Sequence, residues 1–91
     1  MARTEFSARD SRDYAALGGQ PDALFELGLI YATGREGKVD LVEAHKWFNL
    51  AALRGNEEAK RYRNELSADM SKTDVARAQR LAREFLSATH H

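Results

Sequence analysis

Cysteine is absent from the 91 residues of this chain, which excludes disulfides and thiolate metal sites and leaves a small fold to be held by packing or by a partner. Net charge is absent as well. The 14 basic residues balance 14 acidic ones, so no long-range field draws the chain to nucleic acid or to an anionic bilayer. No window approaches the ~18 apolar residues that would span a membrane. The first residues, Met1 to Phe6, carry Arg3 and Glu5 and lack the apolar stretch of a secretory leader, so the expected compartment is the cytoplasm. Alternating β-branched runs are missing too, and strands are not expected. Histidine is scarce, with three copies. His90 and His91 close the chain, native or a cloning remnant, and carry no assigned role.

The residues that are present suit one small domain, 43% hydrophobic and 31% charged. At this length roughly 60–65% of the unfolded surface is buried on folding, so the core is thin. One proline and six glycines stand where helix punctuation belongs. Gly18 and Gly19 close a first helix ending at Leu17, and Pro21 opens a second over residues 21–33. Gly34 and Gly37 break it. Asp40, with Glu43 three residues on, starts a helix over residues 41–54. Gly55 repeats the stop and Asn56 the cap, giving a helix over residues 57–69 with the apolar stripe Ala59, Tyr62, Leu66. Ser71 and Asp74 start a last helix whose Val75, Ala78, Leu81, Ala82, Phe85 and Leu86 form a broader apolar face. The expected organisation is a flexible segment over residues 1–8, a helical domain over 9–88 and a flexible tail over 89–91.

Two stretches repeat at a distance of 36 residues: Ala15, Ala16, Leu17, Gly19, Gln20 and Ala23 recur as Ala51, Ala52, Leu53, Gly55, Asn56 and Ala59. That period predicts stacked helical hairpins, an all-α solenoid that presents surface to another molecule and holds no reaction centre by default. The spacing of Ala23, Leu27, Gly28, Tyr31, Gly34, Asp40, Ala44, Trp47, Phe48, Ala51, Ala52, Gly55 and Ala59 resembles the Sel-one-like repeat family. The resemblance covers one complete repeat, about Gln20 to Gly55, with the end of a preceding one at Ala15 to Gly19 and a closing module like that of bacterial members. It implies an α/α solenoid of tetratricopeptide-like helix-turn-helix units, about one and a half repeats plus a C-terminal capping helix, used as a scaffold or adaptor for other proteins. The chain departs from the family in the loop, where Glu36 replaces the second glycine of Gly-x-Gly-Val and Gly37 follows one place later. Ser11 and Arg12 stand where a preceding repeat would carry the aromatic pair.

Close helix approach explains the small residues at Gly28, Ala44, Ala51 and Ala52, and Leu27, Tyr31, Trp47 and Phe48 fill the volume left between them. Trp47 reads as core in preference to interface. In the helix over residues 21–33, Ala23, Leu27, Ile30 and Tyr31 share one side while Phe25, Leu29 and Ala32 lie on the opposite one. Either the N-terminal helix lies against Phe25 and Leu29, or they form a docking groove. Leu50 and Leu53 face away from the Ala44, Trp47, Phe48 and Ala51 side, and either meet the third helix or stay exposed. The candidate protein-binding residues are therefore Phe25, Glu26 and Leu29, with Leu50 and Leu53 as a second patch. An exposed apolar strip also serves self-association, and a homodimer stands beside partner binding.

Arg77, Arg80 and Arg83 on the last helix, and Lys60, Arg61 and Arg63 on the third, are offset by Glu84 after Arg80 and Glu57 before Arg61, which points to ion pairs on solvated faces and not to nucleic-acid binding. Tyr62 and Phe85 fall on apolar stripes, not between those cations. The catalytic inventory is poor: no serine stands at an elbow spacing from a histidine, and His45 beside Asn49 is a weak metal signal, better read as a surface or capping histidine. Asp40 and Glu43 are accounted for by the helix start. No cofactor or metal is expected. The function read from the sequence is a non-enzymatic adaptor or scaffold that binds another protein, with a self-associating subunit as alternative and a hydrolase as a remote third.

Overall fold

The computed structural model describes residues 18–89. Four helices follow one another: α1 (Pro21–Thr33), α2 (Leu41–Leu53), α3 (Glu57–Ala68) and α4 (Lys72–Thr89). Among the described residues there is no strand. The chain is an all-α stack of helix-turn-helix units in which α2 is the central element, packed against α1, α3 and α4. The expected helix ending at Leu17, the flexible segment over residues 1–8 and all of the expected tail over residues 89–91 except Thr89, which ends α4, lie outside the described residues.

Each boundary follows from a local hydrogen-bond requirement. α1 opens on Pro21, whose missing N–H would have no helical partner at that position, and Gln20 precedes it without a side-chain cap bond. Its end is closed by Gly34, at φ 71°, whose N–H donates to the Ile30 carbonyl at 3.0 Å. The Asp40 side chain accepts from the Glu43 N–H at 3.1 Å and starts α2. α2 ends in a Schellman turn: the Asn56 N–H donates to the Ala51 carbonyl at 2.9 Å and the Gly55 N–H to the Ala52 carbonyl at 3.1 Å. Asn56 then caps α3 by accepting from the Ala59 N–H at 2.8 Å, and Ser71 caps α4 by accepting from the Asp74 N–H at 3.0 Å.

The core sits between α1 and α2 and extends under α3 and α4. Leu24, Leu27, Ala44, Trp47, Phe48, Leu50, Ala51, Ala59 and Ala82 are all buried there. Gly28 is what lets the first two helices close: a Cβ at that position would overlap Cδ1 and Cε1 of the Phe48 ring. Trp47, 3% exposed, is a core residue; its indole N–H donates to Glu43 Oε1 at 3.1 Å and its ring meets Phe85 of α4 edge-on at 4.9 Å. Lys46 Nζ lies 4.1 Å from the centre of the Trp47 ring and 3.0 Å from Glu43 Oε1, so the α2–α4 seam is sealed by a cation held over the aromatic pair.

Candidate functional site

The edge of α1 that faces away from Leu24, Leu27 and Gly28 carries Asp22, Glu26, Leu29 and Thr33. Asp22 and Thr33 are exposed, and Glu26 and Leu29 are half-buried. Spacings of four, three and four residues put all of them along one line of the helix. Glu26 forms an ion pair with Arg35 from the following loop, and Thr33 Oγ1 donates to the Leu29 carbonyl at 2.8 Å. Phe25 flanks this line. It is half-buried, with its ring 5.7 Å from that of Phe48 and 5.3 Å from that of Tyr62, the latter edge-on. Asp22 Oδ1 accepts from Asn56 Nδ2 at 3.3 Å, which ties the start of α1 to the cap of α3. The arrangement offers a short mixed surface: two carboxylates, one of them paired, around a partly open apolar centre.

Phe25, Glu26 and Leu29 are therefore brought together on one helix edge. Among the described residues Phe25 meets Tyr62 of α3 and Phe48 of α2; the helix N-terminal to Gly18, one of the two expected alternatives at this face, lies outside the described residues. Leu50 and Leu53 do not form a second patch. Leu50 is 1% exposed and belongs to the core, whereas Leu53, one turn on, is 63% exposed. Three residues turn about 300°, so the two side chains point about 60° apart on α2, which packs against α1, α3 and α4.

His45 is also corrected. It is 1% exposed, not a surface or capping residue. Its Nε2 lies 2.9 Å from Ser67 Oγ, and Ser67 donates to the Arg63 carbonyl at 3.0 Å. Arg63 in turn donates to Asn49 Oδ1 at 3.0 Å. Burial first, and then the positive charge of Arg63, hold the imidazole below its ordinary value of 6.5, partly opposed by its own backbone. The serine–histidine contact was missed in the sequence because 22 residues separate the partners; the legible signal was the polar Ser67 one residue after Leu66 on the apolar stripe of α3. As a catalytic pair it is misarranged. The Ser67 hydroxyl gives its one proton to a backbone carbonyl, so it receives a hydrogen bond from the ring in place of surrendering a proton to it.

Among the described residues, surface ion pairs form at Arg80, Lys60 and Arg61. Arg80 reaches Glu84 at 3.7 Å as expected, while on α3 the pairing is Lys60 with Glu57 at 3.8 Å and Arg61 with Glu58 and Glu65 at 3.1 and 3.5 Å, not Glu57 with Arg61. All are exposed enough that each is worth at most ~1 kcal/mol. Among the described residues no group of three or more His, Asp or Glu side chains is placed to hold a metal ion, and no helix is long and apolar enough to cross a membrane.

No protein-family model matches the chain, and no solved structure matches it. The sequence is similar to the alginate biosynthesis protein AlgK of Azotobacter vinelandii, 31% identical over 74 residues that make up 81% of this chain. The chain spans 16% of the length of that relative. With the stacked helical hairpins, this partial similarity supports a helical repeat of the general tetratricopeptide and Sel-one-like kind, and with it a role in protein interaction or scaffolding.

Proposed function

We propose that this chain is a Sel-one-like adaptor of bacterial origin that docks a partner protein on the edge of α1, through Glu26, Leu29 and the exposed rim of Phe25. The observation that carries the proposal is the half-open state of Phe25 and Leu29 on a helix whose other face is fully packed. A small apolar centre within polar neighbours is the usual anatomy of a protein contact, where a few central side chains carry most of the energy. Leu50 is withdrawn from the site and Leu53 stands apart from it. AlgK is by name an alginate biosynthesis protein, so polysaccharide biosynthesis is the first place to seek the partner.

The test is affinity capture from separated cellular fractions with the native chain and a Glu26→Lys, Leu29→Ala variant whose circular dichroism matches the native spectrum. One protein recovered in near-equal amount with the native chain and lost with the variant supports the adaptor. Recovery from the cytoplasmic fraction supports the compartment expected from the sequence. Equal recovery with both chains refutes the α1 edge. The exposed Leu53 and Val39, 63% and 56% accessible, favour self-association as a second reading. Sedimentation over a concentration series identifies it by a mass that doubles.

A further inference from the structure

His45 is the one buried polar or charged residue recorded among the described residues, and it stands at the seam between α2 and α3. The hydroxyl of Ser67 has a single hydrogen, which it gives to the Arg63 carbonyl. Ser67 must therefore accept from His45, so the neutral ring carries its proton on Nε2 and leaves Nδ1 bare. Nδ1 is buried and has no hydrogen-bond partner. A second proton placed there creates a charge without water, only partly offset by the residue's own backbone. It also creates a like charge facing Arg63, whose guanidinium is fastened to Asn49 of α2 and to Asn64. Among the described residues Arg63 of α3 is the charged group that acts on the ring; none from α1 or α4 does so.

We propose that His45 is a proton-operated latch at the α2–α3 seam: neutral, it lies under α3 with Nε2–H donating to Ser67, and the buried, unpaired charge of a second proton on Nδ1 drives α3 away and uncovers the aromatic rings beneath Tyr62. Tyr62 is the α3 residue placed to transmit the change, since its ring lies 5.3 Å from Phe25 and 5.5 Å from Phe48. Opening α3 widens the apolar edge of α1 that adjoins the proposed docking site. The latch itself is a property of the α2–α3 seam and stands whether or not that edge binds a partner. The direction of the ring's titration agrees with it. Because the folded value is lowered, the folded state binds fewer protons than the unfolded chain below about pH 6.5. The contribution of His45 to stability is thus complete above that value and is lost as pH falls through the folded value.

Hydrogen exchange followed by mass spectrometry, corrected for the intrinsic pH dependence, reads the opening of each helix separately. Between about pH 7.5 and about pH 5.5, protection of the Tyr62–Ser67 amides is expected to fall, by up to about tenfold, ahead of the Leu24–Ile30 amides, and the selective fall is expected to vanish in a His45→Leu variant. Equal loss in all helices, or the same selective fall in His45→Leu, overturns the latch. Should the variant fail to fold, the native chain decides alone by nuclear magnetic resonance of the His45 ring. A proton on Nε2 and titration below 6.5 support the latch, and a proton on Nδ1 or titration at or above 6.5 overturns it. A selective opening of α3 with no effect on partner capture would leave the latch in place and count against the docking site only.

Discussion

Replacing Gly28 by alanine sets two physical effects against each other with opposite signs. In the interior of an exposed helix the change stabilises by ~0.5–1 kcal/mol, because glycine loses more backbone freedom on folding than alanine. Here the added methyl would overlap two atoms of the Phe48 ring. The ring has nowhere to go, since Phe48 is 1% exposed and is backed by Phe25 at 5.7 Å and Tyr62 at 5.5 Å. Inserting a methyl group into such packing costs ~1–3 kcal/mol, and an overlap with two ring atoms belongs at the top of that range. The net expectation is destabilisation by ~2 kcal/mol. In a domain of this size that lowers Tm by roughly 8–16 °C, readable by circular dichroism on heating. Combining it with Phe48→Leu should recover part of the loss, giving a coupling of ~1 kcal/mol or more in a double-mutant cycle. An unchanged or higher Tm for Gly28→Ala would refute the close α1–α2 approach.

Leu50 and Leu53 make a sharper pair than their spacing promises: Leu50→Ala should cost ~2–5 kcal/mol in urea unfolding, while Leu53→Ala should stay within ~0.5 kcal/mol, and the reverse ranking would contradict the burial described. Asn56→Ala removes both the cap of α3 and the link to Asp22, with an expected loss of ~1–2 kcal/mol in the same assay and faster exchange of the Ala59 amide. No change in either would show that α3 does not depend on that cap. Raising salt to about 1 M should alter stability by less than ~1 kcal/mol, because the exposed ion pairs contribute little. A larger loss would mean that the Lys46–Glu43 seam, with side chains 13% and 26% exposed, carries more than its geometry indicates.

The helix boundaries were legible because caps and stops are local: Asp40, Asn56 and Ser71 each accept from the N–H three residues on, and Gly34 and Gly55 end helices at positive φ. The small residue at Gly28 and the aromatic filling at Trp47 and Phe48 were legible for the same reason that the repeat was, since spacing alone placed them on facing helices. What sequence did not reveal was which element covers which face. Periodicity shows that a side is apolar and leaves its neighbour unnamed, so Tyr62 was not foreseen as a neighbour of Phe25, nor was Leu50 separated from Leu53. His45 was misread because a polar residue in a helix has an exposed position as its default, and its partner Ser67 is distant in sequence and contributed by another helix. The ion pairs of α3 shifted by one residue, because positions three and four apart on a helix are close to equivalent for long side chains.

The central claim, that the edge of α1 receives a partner protein, is tested most directly by a photoreactive amino acid placed in turn at Glu26 and at Gln79 on the outer face of α4. Irradiated in the source cell, the chain labelled at Glu26 should give one adduct with a different protein, and the chain labelled at Gln79 should not. Adducts from both positions alike, adducts only between copies of the chain, or none from Glu26 would contradict the claim.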